Sequence, residues 1–536
     1  MKIYLPIILG WLLVSCANIV APIGGPKDEI PPHIDSLNSS VFFETQFEKK
    51  RIILTFDEFV RLDNPAQGIL FSPPLDYRAS YSLKKRSLRI DFDEREILKN
   101  NTTYTINFGD AVVDLTERNP AENLRYVFAT GKVIDSLELF GRIINTETSK
   151  PVEGALMGLY QSINDSIILE QRPFYFSKTN KEGEVKLSNL KSDTFKVVGW
   201  KDENFNYKYD QYVEEFGFHP IPVVLDSNWK DSLITLSFFK EIPPIRILNV
   251  TNDQFGIVKW KLNRNYDSID FKIHQPDLTN YLIDHKADSV FLWYHSLADS
   301  IQIVLTLNQE KKDTFKYAIP PSDSNFYSTN LTSISPRSDY PLPIISGKPL
   351  FIKFHTPLDI FDTTKFQLIN DSSSIETPFW DYCHIEEGNF KIILKVENQD
   401  NQLIFLPGAF TDIFGRSNRD TLAYQLKLES SEKYGTVSLS LNYLDSTKHY
   451  LVSILPANQP LPVFQTSILK KTQTELLCDF LKPGQYLLQI AQDLNENNRW
   501  DTGDYFKGLQ PEPLQTWEIP PIKANWEINF EVALEQ

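Results

Sequence analysis

The sequence predicts an all-β protein built as a tandem of β-sandwiches. Three observations predict it. The composition suits sheets: aromatics make up 13% of the 536 residues, with 36 Phe and 23 Tyr against two Met. Such side chains fit a pleated, half-buried surface. Short alternating runs recur between turn residues, and Pro (33) outnumbers Gly (21). One whole segment also occurs twice. Asp202-Glu203-Asn204-Phe205-Asn206-Tyr207-Lys208-Tyr209-Asp210 and Asp493-Leu494-Asn495-Glu496-Asn497-Asn498-Arg499-Trp500-Asp501 share the pattern D-x-N-x-N-x-x-aromatic-D at an offset of 291 residues. The same offset carries Leu190-Lys191 to Leu481-Lys482 and Phe195 to Tyr486. At about 100–200 residues per domain, the length predicts three to five domains.

Residues 1–15 read as a signal peptide. Lys2 is the positive start, and Ile3 to Val14 is an apolar run of 12 residues. A bilayer span needs ~20, so the run is too short to cross. It ends Leu13-Val14-Ser15-Cys16, which resembles the bacterial lipobox. The resemblance implies a diacylglycerol on Cys16, removal of residues 1–15 and acylation of the new amine. Several chains on one residue anchor stably where one does not. Ala17, rather than Asp, follows the cysteine, which by the same resemblance implies the outer membrane. The first acids, Asp28 and Glu29, come late, and the exposed face, periplasmic or cell-surface, stays open. Residues 16–32 form a tether, since Pro22, Gly24, Gly25, Pro26, Pro31 and Pro32 exclude regular structure. Its stretch from Gly24 to Pro32 resembles the mature N-terminus of a group of Bacteroidota lipoproteins.

The rest divides into segments 33–133, 136–242, 243–330, 335–430 and 433–536. In 33–133, strand-like runs fall at 51–56, 87–92, 103–108 and 125–129, with turns at Ser72-Pro73-Pro74 and Lys99-Asn100-Asn101. With Phe56-Asp57-Glu58-Phe59 early and Tyr126-Val127-Phe128-Ala129-Thr130-Gly131 late, this order resembles the bacterial Ig-like domain of surface-layer and lipoprotein chains. Segment 335–430 resembles it more loosely. Phe351-Ile352-Lys353-Phe354 echoes Ile53-Leu54-Thr55-Phe56, and Asp412 follows Phe354 by 58 residues as Asp114 follows Phe56. Segment 136–242 opens Leu139-Phe140-Gly141-Arg142-Ile143-Ile144 and continues through Pro151-Val152-Glu153-Gly154-Ala155 to the turn Asn180-Lys181-Glu182-Gly183. It resembles the transthyretin-like, carboxypeptidase-regulatory-like sandwich, and 433–536 keeps Leu481-Lys482-Pro483-Gly484-Gln485-Tyr486 of that pattern. Segment 243–330 alternates at Val258–Leu262, Ile269–Ile273 and Ile301–Leu307 and reads as a further sandwich. A pair of domains thus occurs twice around an extra one.

A net charge of −16 argues against nucleic acid, which needs clustered Lys and Arg. Lys84-Lys85-Arg86 reads as a solvated turn. There is no G-x-S-x-G elbow, Walker loop or dinucleotide fingerprint. His384-Ile385-Glu386-Glu387 spells H-x-x-E, but a catalytic zinc needs three ligands, and the only later histidine, His449, belongs to the next segment. Cys383 and Cys478 are expected as two separate buried thiols. The chain therefore reads as non-enzymatic.

The D-x-N-x-N loops admit two readings. Alternating oxygens can converge on calcium, with Asp202, Asn204, Asn206 and Asp210 as ligands in one copy and Asp493, Asn495, Asn497 and Asp501 in the other. They can equally close Asx turns on their own backbone. Two departures weigh against calcium: Tyr207 and Asn498 replace the sharp-turn glycine, and Val213 and Asp504 stand where a bidentate Glu belongs. The aromatics beside the loops, Tyr207, Tyr209, Trp500 and Tyr505, are candidate binding rings at domain ends, against the alternative of core packing. The expected function is that of a non-catalytic lipoprotein, held in the outer membrane by its N-terminal lipid. It would act as scaffold or accessory subunit of an outer-membrane protein assembly, in transport or β-barrel biogenesis, with an outer-membrane protein as partner. The alternative is a glycan-binding surface lipoprotein. No cofactor is expected beyond possible calcium, the first of the two loop readings.

Overall fold

The computed structural model describes residues 28–534, less 231–232, 266–268, 274–280, 287, 296–298, 308–310, 322–329, 336–341, 371–374, 377–382, 387, 395–399 and 460. Cys16 and most of the tether lie outside the described residues, as does Glu387 of the H-x-x-E string. The protein is all-β. Among the described residues, no helix is long and apolar enough to cross a membrane. The chain forms two compact units, Met1–Glu241 with Asp501–Leu514, and Ile242–Trp500 with Gln515–Gln536.

The first unit begins with three small sheets: Arg51–Thr55 with Ser87–Asp91 and Ser80–Lys84, Leu70–Ser72 with Thr103–Asn107 and Arg125–Ala129, and Val60–Leu62 with Val112–Asp114. Alternation builds the first of these. Ile52 and Leu54 face inward and pair in register with Ile90 and Leu88, which are also buried. A one-residue slip would turn all four to solvent. Tyr104 stacks on Phe128 with centroids 5.2 Å apart, in one core with Phe47, Phe56 and Phe92. Lys84 to Arg86 are exposed at a hairpin turn, as their charge requires.

The repeated spacing from Phe56 to Asp114 and from Phe354 to Asp412 is structural. Val60 pairs with Asp114, and 298 residues later Leu358 pairs with Asp412. Both aspartates are buried and cap their own turns. Asp114 accepts the backbone N–H groups of Thr116, Glu117, Arg118 and Asn119. Asp412 accepts those of Phe414 and Arg416, together with the Thr356 hydroxyl and the Arg416 guanidinium.

The second half of the first unit has Leu137–Asn145 antiparallel to Glu184–Leu190 and parallel to Leu233–Lys240. Gly435–Asn442 in the second unit repeats this, antiparallel to Thr474–Leu481 and parallel to Glu527–Ala533. The central strands correspond as well. Leu156–Tyr160 lies between Tyr175–Lys178 and Asp193–Trp200, as His449–Pro456 lies between Phe464–Leu469 and Gly484–Gln492. Each copy closes its own core, around Leu139, Val197 and Phe238 in one and around Val437, Val452 and Leu488 in the other. Between them in sequence, Ile257–Leu262, Ser289–Tyr294 and Ser300–Leu307 enclose Trp260, Leu292 and Ile303. The two described cysteines form no disulfide. Cys478 is buried, whereas Cys383 is only half-buried, so the expectation of two buried thiols is corrected for Cys383. It sits on Cys383–Glu386, the last strand of its sheet, which among the described residues pairs with Asn389–Ile393.

Segment Asp501–Leu514 completes the first unit. Tyr505 is 5% exposed and packs edge-on against Phe216 and Phe218, each at 5.2 Å between centroids. Its hydroxyl receives the Lys196 ammonium at 2.9 Å and donates to Asp165 at 3.2 Å. Lys196 and Asp165 also pair directly. Gly503 lies against the Phe239 ring, where a Cβ would stand 2.5 Å from the nearest ring carbon. Thr502 donates to the Lys240 carbonyl and Gln510 to that of Phe218.

Candidate functional site

The loop after Asp193–Trp200 winds around its own oxygens. Asp202 accepts the N–H of Asn206 at 3.2 Å and of Tyr207 at 3.0 Å. Asn204 accepts Asn206 N–H at 3.0 Å, and Asn206 accepts Lys208 N–H at 2.6 Å. The side-chain amides of Asn204 and Asn206 both donate to Asp210. Phe205 and Tyr207 take left-handed φ of 60° and 61°, so the wide turn forms without the glycine. Burial raises the Asp202 carboxyl above its ordinary range.

Sequence reasoning missed Glu214. It lies one position past the place inspected for a bidentate acid, and it is 2% exposed. Its two oxygens accept Glu203 N–H and Asp210 N–H, each at 3.0 Å. Burial pushes its carboxyl up, and repulsion from Asp202 and Asp210 adds to this.

The second loop repeats the winding. Asp493 accepts Asn497 N–H at 3.0 Å and Asn498 N–H at 2.7 Å. Asn495 accepts Asn497 N–H, Asn497 accepts Arg499 N–H, and Glu496 and Asn498 take φ of 58° and 62°. His449 Nδ1 lies 3.1 Å from Asp493 Oδ2, within ion-pair range but outside hydrogen-bond geometry. In the first unit Asp501 N–H donates to Glu512, the counterpart of Glu214. Among the described residues, no three His, Cys, Asp or Glu side chains are grouped to hold a metal ion. What the two loops display is the hydrogen bonding of Asx turns.

The four aromatics picked from the sequence separate. Tyr209 is 2% exposed, and its hydroxyl donates to the buried Glu241 at 2.8 Å. Tyr505 is the core residue described above. Both fill the space between strands, because their rings are the largest apolar groups available there, and neither presents a ring to a ligand. Trp500 is half-buried. Of the four, Tyr207 lines a cleft.

That cleft, of about 220 Å³, opens within the first unit between the 65–81 region and the strand carrying Phe176. Ile69, Phe71, Leu75 and Phe176 give it an apolar floor. Arg78, Tyr81, Arg172 and Tyr207 line it as well. Tyr207 packs on Phe176 at 5.1 Å, and the Arg172 guanidinium lies over the Tyr207 ring at 5.8 Å. Arg172 is held by donating to the Leu75 carbonyl at 3.0 Å, and Ser72 Oγ accepts Phe176 N–H at 3.0 Å, which ties the two walls together. Burial raises the Tyr81 and Tyr207 hydroxyls above the ordinary phenol range, so both stay protonated donors at neutral pH.

Residues 28–130 match the bacterial Ig-like domain. One wall of the cleft therefore belongs to this Ig-like segment. No curated protein matches the chain in sequence. Among solved structures, SGBP-B of the Bacteroides ovatus mixed-linkage glucan utilization locus, in complex with a mixed-linkage heptasaccharide, is 9% identical with a TM-score of 0.18, over 63% of this chain and 87% of that one. The major pilin subunit of Bacillus cereus is 9% identical with a TM-score of 0.13, over 75% and 99%. The human desmocollin-1 ectodomain is 10% identical with a TM-score of 0.15, over 94% and 98%.

Proposed function

We propose that this protein is a non-catalytic, lipid-anchored interaction protein of the outer membrane, a scaffold or accessory subunit whose partner is an outer-membrane protein. The observation that carries the reading is the lipobox-like Leu13-Val14-Ser15-Cys16 placed ahead of a chain of sheets that close their own cores. A lipid on Cys16 holds one end, and rigid β-domains present loops away from it. The likeness of 136–242 and 433–536 to carboxypeptidase-regulatory-like sandwiches belongs to the same reading. It is supported by their shared strand order.

The test is a gentle-detergent pull-down of the tagged, lipidated chain from its own membranes. A stoichiometric outer-membrane protein in the eluate is the expected result, and bait alone overturns the scaffold reading. Glycan binding is the weaker alternative, because two of the four rings it would use, Tyr209 and Tyr505, are buried.

A further inference from the structure

Four polar side chains of the cleft point to a ligand. Arg78 and Arg172 are exposed, and neither has an ion-pair partner among the described residues, although the chain carries a net charge of −16. Arg172 spends one donor on the Leu75 carbonyl, and among the described residues Arg78 makes no hydrogen bond. The Tyr81 and Tyr207 hydroxyls likewise have no protein acceptor among the described residues. All four line the same cleft, and the Arg172 guanidinium lies over the Tyr207 ring at 5.8 Å. Two guanidinium groups and two phenol donors, with no acceptor supplied, match the several lone pairs of an oxyanion. The floor is apolar, and a cavity of ~150 Å³ already holds a benzene ring. At about 220 Å³ this cleft has room for a ring and its substituents.

We propose that the cleft between Arg78, Arg172, Tyr81 and Tyr207 binds a carboxylate joined to an aromatic or branched apolar group. The apolar part enters over Ile69, Phe71 and Leu75, and the carboxylate stays at the arginines. This site stands independently of the scaffold reading. Its ligand is either a free organic acid or the C-terminal residue of a polypeptide, because both present the same chemistry.

The test is calorimetric titration of the full chain with N-acetyl-L-phenylalanine, its amide, inorganic phosphate and benzyl alcohol. The acid is expected to bind, with the amide at least roughly tenfold weaker, because the charge-assisted bonds are lost. Phosphate and benzyl alcohol, each carrying half of the chemistry, should also fall at least roughly tenfold below the acid. Arg78→Gln should weaken the acid by about tenfold or more. Arg78 is exposed and makes no hydrogen bond or ion pair among the described residues, so the variant should fold, and Tyr207→Phe serves as a second variant that keeps the ring. Equal binding of acid and amide, equal binding of phosphate, no binding of the acid, or an undiminished Arg78→Gln would each overturn the proposal. A peptide ending in Phe carboxylate identifies the source. Binding roughly tenfold tighter than the single residue supports a chain end, and equal binding supports a free acid.

Discussion

The buried carboxylate of Glu241 accepts the backbone N–H of Tyr505 at 2.8 Å, across 264 residues of chain. Its other oxygen receives the Tyr209 hydroxyl. Glu241 thereby joins the end of the first unit's sheet, the first D-x-N-x-N loop and segment Asp501–Leu514. Leaving a buried carboxylate without such donors is costly, so the three parts stabilise one another.

Tyr505→Ala should therefore destabilise the first unit by ~3–5 kcal/mol, as loss of a buried ring does in other cores. Gly503→Ala should cost about 1–3 kcal/mol, because its Cβ would meet the Phe239 ring. Denaturant midpoints, with limited proteolysis to locate the cleavage, check both. Wild-type resistance in Tyr505→Ala would show that the segment is dispensable to the unit.

Asp114 gives a pH dependence with a definite sign. Burial acts to raise its carboxyl, but the backbone N–H groups of Asn119, Glu117, Thr116 and Arg118 outweigh that and hold it below its ordinary value. A carboxylate depressed in the folded state contributes stability above its unfolded pKa of ~3.9 and loses it as pH falls through the folded value. Asp114→Asn should cost about 1–3 kcal/mol at pH 7, and the gap to wild type should close in acid. Urea unfolding at pH 7 and near pH 3 measures the difference. A gap independent of pH would mean that the charge of Asp114 contributes nothing.

The first loop separates its two readings by a single measurement. An Asx turn closed by its own N–H groups needs no cation, so the melting temperature is expected to be the same in EDTA and in calcium. Asp202→Ala should cost roughly 1–2 kcal/mol through the two lost backbone bonds. An upward shift on adding calcium, abolished in Asp202→Ala, would instead make Asp202, Asn204, Asn206 and Asp210 a cation site, with Glu214 beside them.

Cys478 is a built-in reporter of unfolding. Burial pushes its thiol up to about 12, so almost no thiolate is present at pH 8. Alkylation of Cys478 should be slow in the native state and rise by orders of magnitude in denaturant. Mass spectrometry of labelled peptides checks this, and rapid native labelling would show that the Thr474–Leu481 strand opens easily.

The sequence by itself determined where several strands lie and that the chain repeats. Arg51–Thr55 and Ser87–Asp91 were legible because inward and outward residues alternate with a period of two, a local property of the backbone. The offset from Asp114 to Asp412 was legible because each aspartate caps a turn formed by its own neighbours. Within the D-x-N-x-N loops, the Asx turns could be read for the same reason. Tertiary structure alone decided which aromatics are available. Tyr209 and Tyr505 look as exposed in sequence as Tyr207 does, yet they are buried, because Glu241, Phe216 and Lys196 offer matching surfaces from distant parts of the chain. The cleft was hidden for the same reason: Arg78 and Arg172 lie far apart in sequence, and only the tertiary fold brings them to one cleft with Tyr207. Alternation and turn chemistry act over a few residues, whereas burial depends on which surfaces remain to be covered once the sheets have formed.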